Sequence, residues 1–585
     1  KGVADGMGPL SRGVVSAGLE KEEDLIVETK IEIAKLTVQP SSIVLSAQGE
    51  GRHVLVTGET TDGDRVDLTP EARFEPLGEG VRVDEAGFLY PLKEGETKVR
   101  VTAGGRTAAL TAKVGDLSHG VALNFLRDVA PLLNKAGCTA GACHGSAKGK
   151  NGFKLSLRGY DPQFDYDALL YEVSGRRINR AAAEQSLMVA KPTQVVPHEG
   201  GLRIKPGSRY HKTILSWISE GVRFGDPAKD NVVKLEVLPR EIFMTQPGRK
   251  QRVLVTAYYA DGSLRDVTRE AVIKSNSPTT VKVADDLVEG RRTGEANLMV
   301  RYQGKFVTLP VTVLNPEPGF RWQQLAQHNY IDEQVDAKLK RLKMQPSRVA
   351  DNTAFLRRAY LDLIGLPPTP EEARAFLEDP ERSRLKRGRL IDQLMNRSEF
   401  VDHWALKWGD LLQSNRKYLG EKGTWAFRDW IRDSIASNKP YDEMVRELLT
   451  ASGSTYENPA ANFFRVNDDP QLAMQSTTQI FMGVRMVCAQ CHDHPFEKWT
   501  QTQYYQLAAF FAAVGVRPGF DSDEQIVYLK RGENQVKHPK TGRVVDPQYI
   551  VASAGAPPIP DAGDRRKALA EWLTSDNNPF FARAI

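Results

Sequence analysis

The hydrophobic pattern changes period along the chain, and the changes mark out domains. In residues 54–69, VLVTGETTDGDRVDLT, apolar and polar positions alternate up to Asp62-Gly63, a dipeptide suited to a tight hairpin turn, and a short strand follows. Residues 253–268, VLVTAYYADGSLRDVT, align with them without gaps at an offset of 199, with eight identities in sixteen positions, and carry the turn as Asp261-Gly262. Strand-like alternation continues at 98–102 and 307–313. The internal repeat predicts two small β-sandwiches, at 35–115 and 232–315.

Elsewhere the period is helical. Phe125, Leu126, Val129, Leu132 and Leu133 recur at helix spacing and stop near Gly137, and Tyr210, Ile214, Leu215 and Ile218 predict a second amphipathic helix. Residues 118–228 therefore read as helix, loop, irregular middle and closing helix. From about 320 the helical pattern persists, with an apolar helix at 354–363 broken by Gly365-Leu366-Pro367-Pro368. Thr369-Pro370-Glu371-Glu372 then has the form of a capping box. Further helices are predicted near 384–395, 400–413, 425–436 and 441–451. Thr500-Gln501-Thr502-Gln503 caps a last helix whose apolar face runs through Tyr504, Leu507, Ala508, Phe511 and Val514 to a stop at Gly515. The fold class is multidomain α+β, with two sandwiches alternating with an α-helical domain at 118–228 and a mainly α-helical domain at 320–562. Residues 1–34 read as an N-terminal extension, and 563–585 as the start of a further, truncated C-terminal domain.

Composition narrows the class. At 585 residues several cores are expected, and no apolar run approaches the ~18 residues of a transmembrane helix. The 79 basic and 74 acidic residues are interspersed and leave a net charge of only +5, which weighs against a nucleic-acid partner. No signal peptide is visible at Lys1, so an exported protein would be shown here in mature form.

The four cysteines carry the chemistry. They form Cys488-Ala489-Gln490-Cys491-His492 and Cys138-Thr139-Ala140-Gly141-Ala142-Cys143-His144, and none is left for a disulfide. C-x-x-C-H is the attachment spacing of c-type haem, in which two thiols bond the porphyrin vinyl groups and the adjacent imidazole reaches iron. The first cluster has the rarer four-residue spacing. Zinc would need four ligands, and neither cluster has a second pair at finger-like distance. A thioredoxin-like C-x-x-C would need a βαβ context that is not seen. The reading is two covalent haem c groups on Cys138, Cys143, Cys488 and Cys491, with His144 and His492 as proximal ligands. Covalent attachment takes place outside the cytoplasm, so a periplasmic, cell-surface or extracellular location is expected.

The segment GACHGSAKGKNGFKLSLRGYDPQFDY, with SLMVAKPTQVVPHEGG downstream, resembles the planctomycete cytochrome c domain. RRAYLDLIGLPPTPEEARAFL and CAQCHDHPFEKWTQTQYYQLAAFF resemble the domain of unknown function that accompanies it. The repeated β stretches resemble bacterial Ig-like domains. The resemblance implies an exported multidomain cytochrome without naming its reaction. It also implies a further C-terminal domain, whose opening SDNNPFFARAI resembles.

Axial identity on the far side of each iron decides whether small molecules reach it. For the first haem, His198 in Pro197-His198-Glu199-Gly200-Gly201 is the distal candidate, with Met188 or an open position as alternatives. For the second, His538 on the Lys537–Gly542 turn is the candidate. His494 suits a hydrogen bond to an iron ligand or to a propionate, with Asp493 as another polar partner, and Met482 and Met486 read as core with sulfur ligation as the alternative. His403 beside Trp404 reads as a satisfied helix histidine, as do His53, His119, His211 and His328. Lys148, Lys150 and Lys154 form a solvated basic loop that could also meet propionates or a redox partner.

Electron transfer between redox partner proteins, without a catalytic residue, is the first functional reading. A haem enzyme of peroxidase type or one oxidising a carbohydrate-derived substrate is the second. A surface scaffold contacting cell-surface glycans or proteins through the Ig-like modules is the third.

Overall fold

The computed structural model describes residues 32–45, 50–61, 63–118, 120, 122–317, 319–494, 499–532, 534–551, 555–561 and 563–584. The predicted N-terminal extension lies outside these except for its last residues, which enter the strand Ile33–Gln39. Asp62 and His119 also lie outside.

The chain divides into two units, one of Lys1–Ser46 with Val54–Leu117, the other of Ala47–His53 with Ser118–Ile585. The first unit is β-rich. A three-stranded antiparallel sheet runs in the order Ile33–Gln39, Leu55–Thr60, Arg65–Asp67. A four-stranded sheet runs Ser42–Leu45, Arg106–Val114, Gly95–Ala103, Arg73–Pro76, with the first pair parallel. Along Gly95–Ala103 the residues Thr97, Val99, Val101 and Ala103 are buried, while Lys98, Arg100 and Thr102 are exposed. That period of two is what a half-buried strand dictates.

Inside the second unit the repeat returns. Val232–Leu238, Leu254–Tyr259 and Leu264–Asp266 form one sheet, and Ile242–Met244, Lys305–Val313, Gly294–Tyr302 and Val272–Ser275 the other, in the same order. The hairpin turn closes at Gly262, whose φ of +85° suits glycine.

Residues 118–228 have their own core. Asn124 caps the first helical segment by accepting from Arg127 N; a π turn at Phe125–Val129 runs into the α-helix Ala130–Lys135. Phe125 packs on Tyr166 and on the fully buried Trp217 of the closing helix Arg209–Ser219.

The remainder is mainly helical, and the helices at Asn352–Ile364, Ser383–Met395, Ser398–Leu411 and Tyr441–Thr450 follow the pattern in the sequence. Arg416–Ala436 starts earlier than the pattern indicated and is interrupted at Gly420. Both capping boxes form, at Thr369 with Glu372 and at Thr500 with Gln503. The last predicted helix is shorter than expected. Gln501–Ala508 tightens into a 3-10 turn at Ala509–Phe511, and Val514 opens a strand, Val514–Pro518, paired with Gln525–Leu529. Helical spacing put Val514 on the helix; strand pairing with a segment past the Pro518-Gly519 turn overrides it. The helix Arg565–Leu573 buries Leu569, Trp572 and Leu573 in the same core as Phe463, Phe481 and Tyr504, so no packing boundary falls at 563. No helix among the described residues is long and apolar enough to cross a membrane.

Candidate functional site

The first thiol cluster is built on a helix end. Gly137, with φ of +85°, turns the chain after Ala130–Lys135, and Cys138 N donates back to Leu133 O at 2.9 Å. The loop then closes on itself. Cys143 N donates to Ala140 O, His144 N to Cys138 O and Gly145 N to Ala140 O. A Cβ on Gly145 would fall 2.1 Å from Thr139 O, so this turn requires glycine. Both thiols are free, and burial pushes the Cys138 thiol up to about 11, helped by a negative charge on Cys143. At neutral pH Cys138 is therefore a thiol.

His144 Nδ1 lies 3.0 Å from Phe153 O. A carbonyl can only accept, so the proton sits on Nδ1 and Nε2 is left with its lone pair. His198 has the same arrangement, with Nδ1 donating to Gly201 O at 2.9 Å. A Cβ on Gly200 would come 2.7 Å from the His198 ring, so the glycine lets the imidazole fold over the backbone. Burial lowers the pKa of His144, with further lowering from the charges of His198, Arg177 and Lys191. The structure thus brings His198 into the electrostatic neighbourhood of His144. Met188, the alternative, is 8% exposed and packed in the domain core beside Val189 and Ile218. Lys148 and Lys150 are exposed.

The second cluster sits on the 3-10 turn Val487–Gln490 and the residues after it. Gln490 O accepts from Gln501 Nε2 at 2.9 Å and from Tyr505 Oη at 3.1 Å. Asp493 Oδ1 accepts from Gln501 N at 2.8 Å. The helix that follows the motif thereby pins the loop. His492 is half-buried, and its Nδ1 donates to Asp493 O at 2.6 Å, which again leaves Nε2 with its lone pair. Met482 and Met486 are buried in the domain core. His494 is buried, with its backbone N–H on Trp499 O.

His538 opens the turn that follows the short strand Val536–Lys537. It is buried beside Tyr505, ring centroids 5.7 Å apart, and its Nδ1 accepts from Lys540 N at 3.3 Å. With Nδ1 accepting, the proton of the neutral ring sits on Nε2. Together with Thr502, Gln506, Thr541 and Arg543, His538 lines a cleft of about 530 Å³. His403 departs from the expected satisfied state, since its Nε2 is buried without a hydrogen-bond partner among the described residues.

The sequence did not indicate that a segment bonded to the first cluster reaches the second. Arg158 N donates to Thr139 O, inside the first thiol loop, at 2.7 Å. Two residues on, the Tyr160 ring lies 6.1 Å from that of His492. A negative charge at Cys488 would be felt by the Arg158 guanidinium. Asp161 forms an ion pair with Lys540, whose ammonium lies 5.7 Å from the centre of the Tyr160 ring. The segment that follows the first cluster is therefore the wall of the second. Its conformation is fixed by Asp165, 1% exposed, which accepts from Ser156 N at 2.5 Å and Ser156 Oγ at 2.8 Å. Arg158, Tyr160 and Asp165 are the residues that reasoning from the sequence passed over. They stand within SLRGYDPQFDY, a stretch conspicuous only as part of a longer resemblance.

Two thiols and an imidazole with a lone pair on Nε2, twice over, form a donor set suited to covalent porphyrin. Among the described residues no three His, Cys, Asp or Glu side chains converge as the ligands of a bare metal ion.

No curated protein matches the chain. Among solved structures, domains 5–6 of the S-layer protein SbsC are 12% identical over 48% of this chain and 99% of that one, with a TM-score of 0.21. Domains 4–9 of the same protein are 11% identical over 48% of this chain and 31% of that one, with a TM-score of 0.20. Similarity that slight supports no transfer of function. Residues 330–515, which include the second thiol cluster, match the model of a family described as PSCyt2, a protein of unknown function (DUF1549).

Proposed function

We propose that this chain is an exported dihaem c-type cytochrome of the planctomycete multidomain kind, which transfers electrons between redox partner proteins outside the cytoplasm. The observation that carries the reading is that one segment links the two C-x(n)-C-H clusters, with Arg158 N bonded to Thr139 O of the first and the Tyr160 ring 6.1 Å from that of His492 in the second. A chain with two unrelated metal clips would have no need to bring them together.

The side chains fit the group. Cys138 and Cys143, and Cys488 and Cys491, are unpaired thiols next to a histidine whose Nδ1 is tied to a backbone carbonyl. Haem c bound there supplies one-electron chemistry at iron. His144 and His492 are the proximal ligands, and His198 the distal ligand of the first site. The match at 330–515 to the PSCyt2 family supports the same reading, because that domain is the one resembled in the sequence as companion to the cytochrome domain. The β-sandwiches are Ig-like modules that hold the haem domains and offer surface for proteins or glycans.

One observation favours a second reading at the second site. His538 borders a cleft of about 530 Å³, an arrangement that leaves room for a small molecule at an iron with an exchangeable sixth position and hence haem catalysis. Carbon monoxide or cyanide binding separates the two. Electron transfer alone predicts no binding by either haem, whereas binding at one haem per chain would assign the second site to catalysis. The parent reading is tested by producing the protein with an export signal in a host that matures c-type cytochromes. A product without covalent porphyrin would overturn it.

A further inference from the structure

The helix Gln501–Ala508 carries two stripes of residues spaced four apart. Gln501 and Tyr505 reach back to Gln490 O, beside Cys491, and so hold the second thiol loop. Thr502 and Gln506, one position further on, line the cleft of about 530 Å³. Another wall of that cleft is the hairpin of Val536–Lys537 and Val544–Val545, whose turn supplies His538, Thr541 and Arg543. The turn is tied by His538 N donating to Arg543 O at 2.9 Å and by Gly542 N donating to His538 O at 2.8 Å. Gln548 joins the two walls, its Oε1 accepting from Gln506 Nε2 at 2.5 Å. A cleft of this volume is ordinary for small-molecule binding.

Two donors in it are left open by the fold. His538 is only 8% exposed and its Nδ1 accepts from Lys540 N, yet its Nε2–H meets no hydrogen-bond acceptor among the described residues. A buried N–H without an acceptor bears its full desolvation cost, which a ligand atom in the cleft would relieve. Arg543 is exposed and pairs with no carboxylate among the described residues, whereas Lys540 on the same turn is paired with Asp161. The planar fork of a guanidinium matches a carboxylate, and the imidazole N–H adds one more donor. Around them Thr502, Thr541 and Gln548 offer hydroxyl and amide groups that both donate and accept, while an ionised Asp546 only accepts and so favours a hydroxyl. A molecule with a carboxylate at one end and hydroxyls along the rest satisfies all of these.

We propose that this cleft binds a small hydroxylated carboxylate of sugar-acid type, with Arg543 on the carboxylate, His538 Nε2–H donating to it and Asp546 accepting from a hydroxyl. The proposal deepens the reading of the second site as catalytic, and rests on it only for the ligand's role as a molecule admitted beside that iron. The binding itself needs no porphyrin. The way from ligand to thiol loop is short: the His538 ring lies 5.7 Å from that of Tyr505, whose Oη donates to Gln490 O, the neighbour of Cys491.

The test is titration calorimetry of the full chain with sodium gluconate, glucose and acetate as probes. Gluconate is expected to bind once per chain, about tenfold more tightly than glucose or acetate, the worth of one charge-assisted contact. Arg543→Gln should weaken gluconate about tenfold, to the level of glucose. Lys537→Gln, at an exposed cation of the same hairpin outside the cleft lining, should change nothing. Thr502→Trp, also at an exposed position, should fill the cleft and abolish binding. No gluconate binding, equal affinity for acetate or for glucose, binding that survives Thr502→Trp, or an equal loss with Lys537→Gln would each overturn the proposal. Intact mass of the same samples keeps it apart from the dihaem reading. A chain with two haems that takes up no gluconate loses the cleft assignment and remains a cytochrome, whereas a chain that binds gluconate without porphyrin does the reverse.

Discussion

Asp165 offers a quantitative test of the segment that links the two clusters. The carboxyl is 1% exposed, and burial raises its pKa from 3.8 to about 7 against the opposing effect of its hydrogen bonds from Ser156. A folded-state pKa above the unfolded one means that the native state prefers the protonated acid. The stabilisation is then fully present below about pH 4 and is lost as pH rises through about 7, with a flat profile above. A shift of about three units corresponds to about 4 kcal/mol between those limits. Asp165→Asn keeps an acceptor for Ser156 N and a polar partner for Ser156 Oγ while removing the ionisation. At pH 4.5 variant and wild type should be similarly stable, and at pH 8 the variant should be more stable by up to about 4 kcal/mol. Native-state hydrogen exchange of amides 155–170, corrected for intrinsic rates, reads the local opening free energy. If Asp165→Asn loses protection at pH 8, or if wild-type protection rises with pH between 4.5 and 7, the two Ser156 hydrogen bonds outweigh burial and the reasoning fails.

Other perturbations address the pieces separately. His198→Met should retain the attached first haem but raise its potential, since thioether ligation raises the potential of a His-ligated haem, and a redox titration checks it. Trp572, with no exposed surface, should cost about 3–5 kcal/mol on truncation to Ala and lower the urea midpoint of the helical core that it shares with Phe481 and Tyr504. Lys540→Ala removes a partly exposed ion pair with Asp161, so stability should change by no more than ~1 kcal/mol in thermal unfolding.

The sandwiches were legible because two signals agreed: period-two alternation and a gapless internal repeat, both local in sequence. The capping boxes at Thr369 and Thr500 were legible for the same reason, as each is settled within four residues. Val514 was misread because its strand partner lies beyond the Pro518-Gly519 turn, and pairing across a turn leaves no trace in helical spacing. The thiol clusters could be found from spacing alone, whereas the electrostatic neighbourhood of His144 and His198, 54 residues apart, shows only in the fold. His538 stands out in the sequence only by its place on a turn 46 residues past His492, and the hydrogen bond from Lys540 N to its Nδ1 could not be read from composition or order. The link between the clusters was hidden for a deeper reason: Tyr160 and His492 are separated by more than three hundred residues, and nothing periodic connects them.

The central claim is that this polypeptide bonds two porphyrins through four thiols. Intact mass spectrometry of the exported, matured protein under denaturing conditions tests it most directly. The account predicts the mass of the chain plus two haems, falling to one haem when Cys488 and Cys491 are replaced by alanine. A mass equal to that of the bare polypeptide, from a host that loads a control cytochrome, would contradict it.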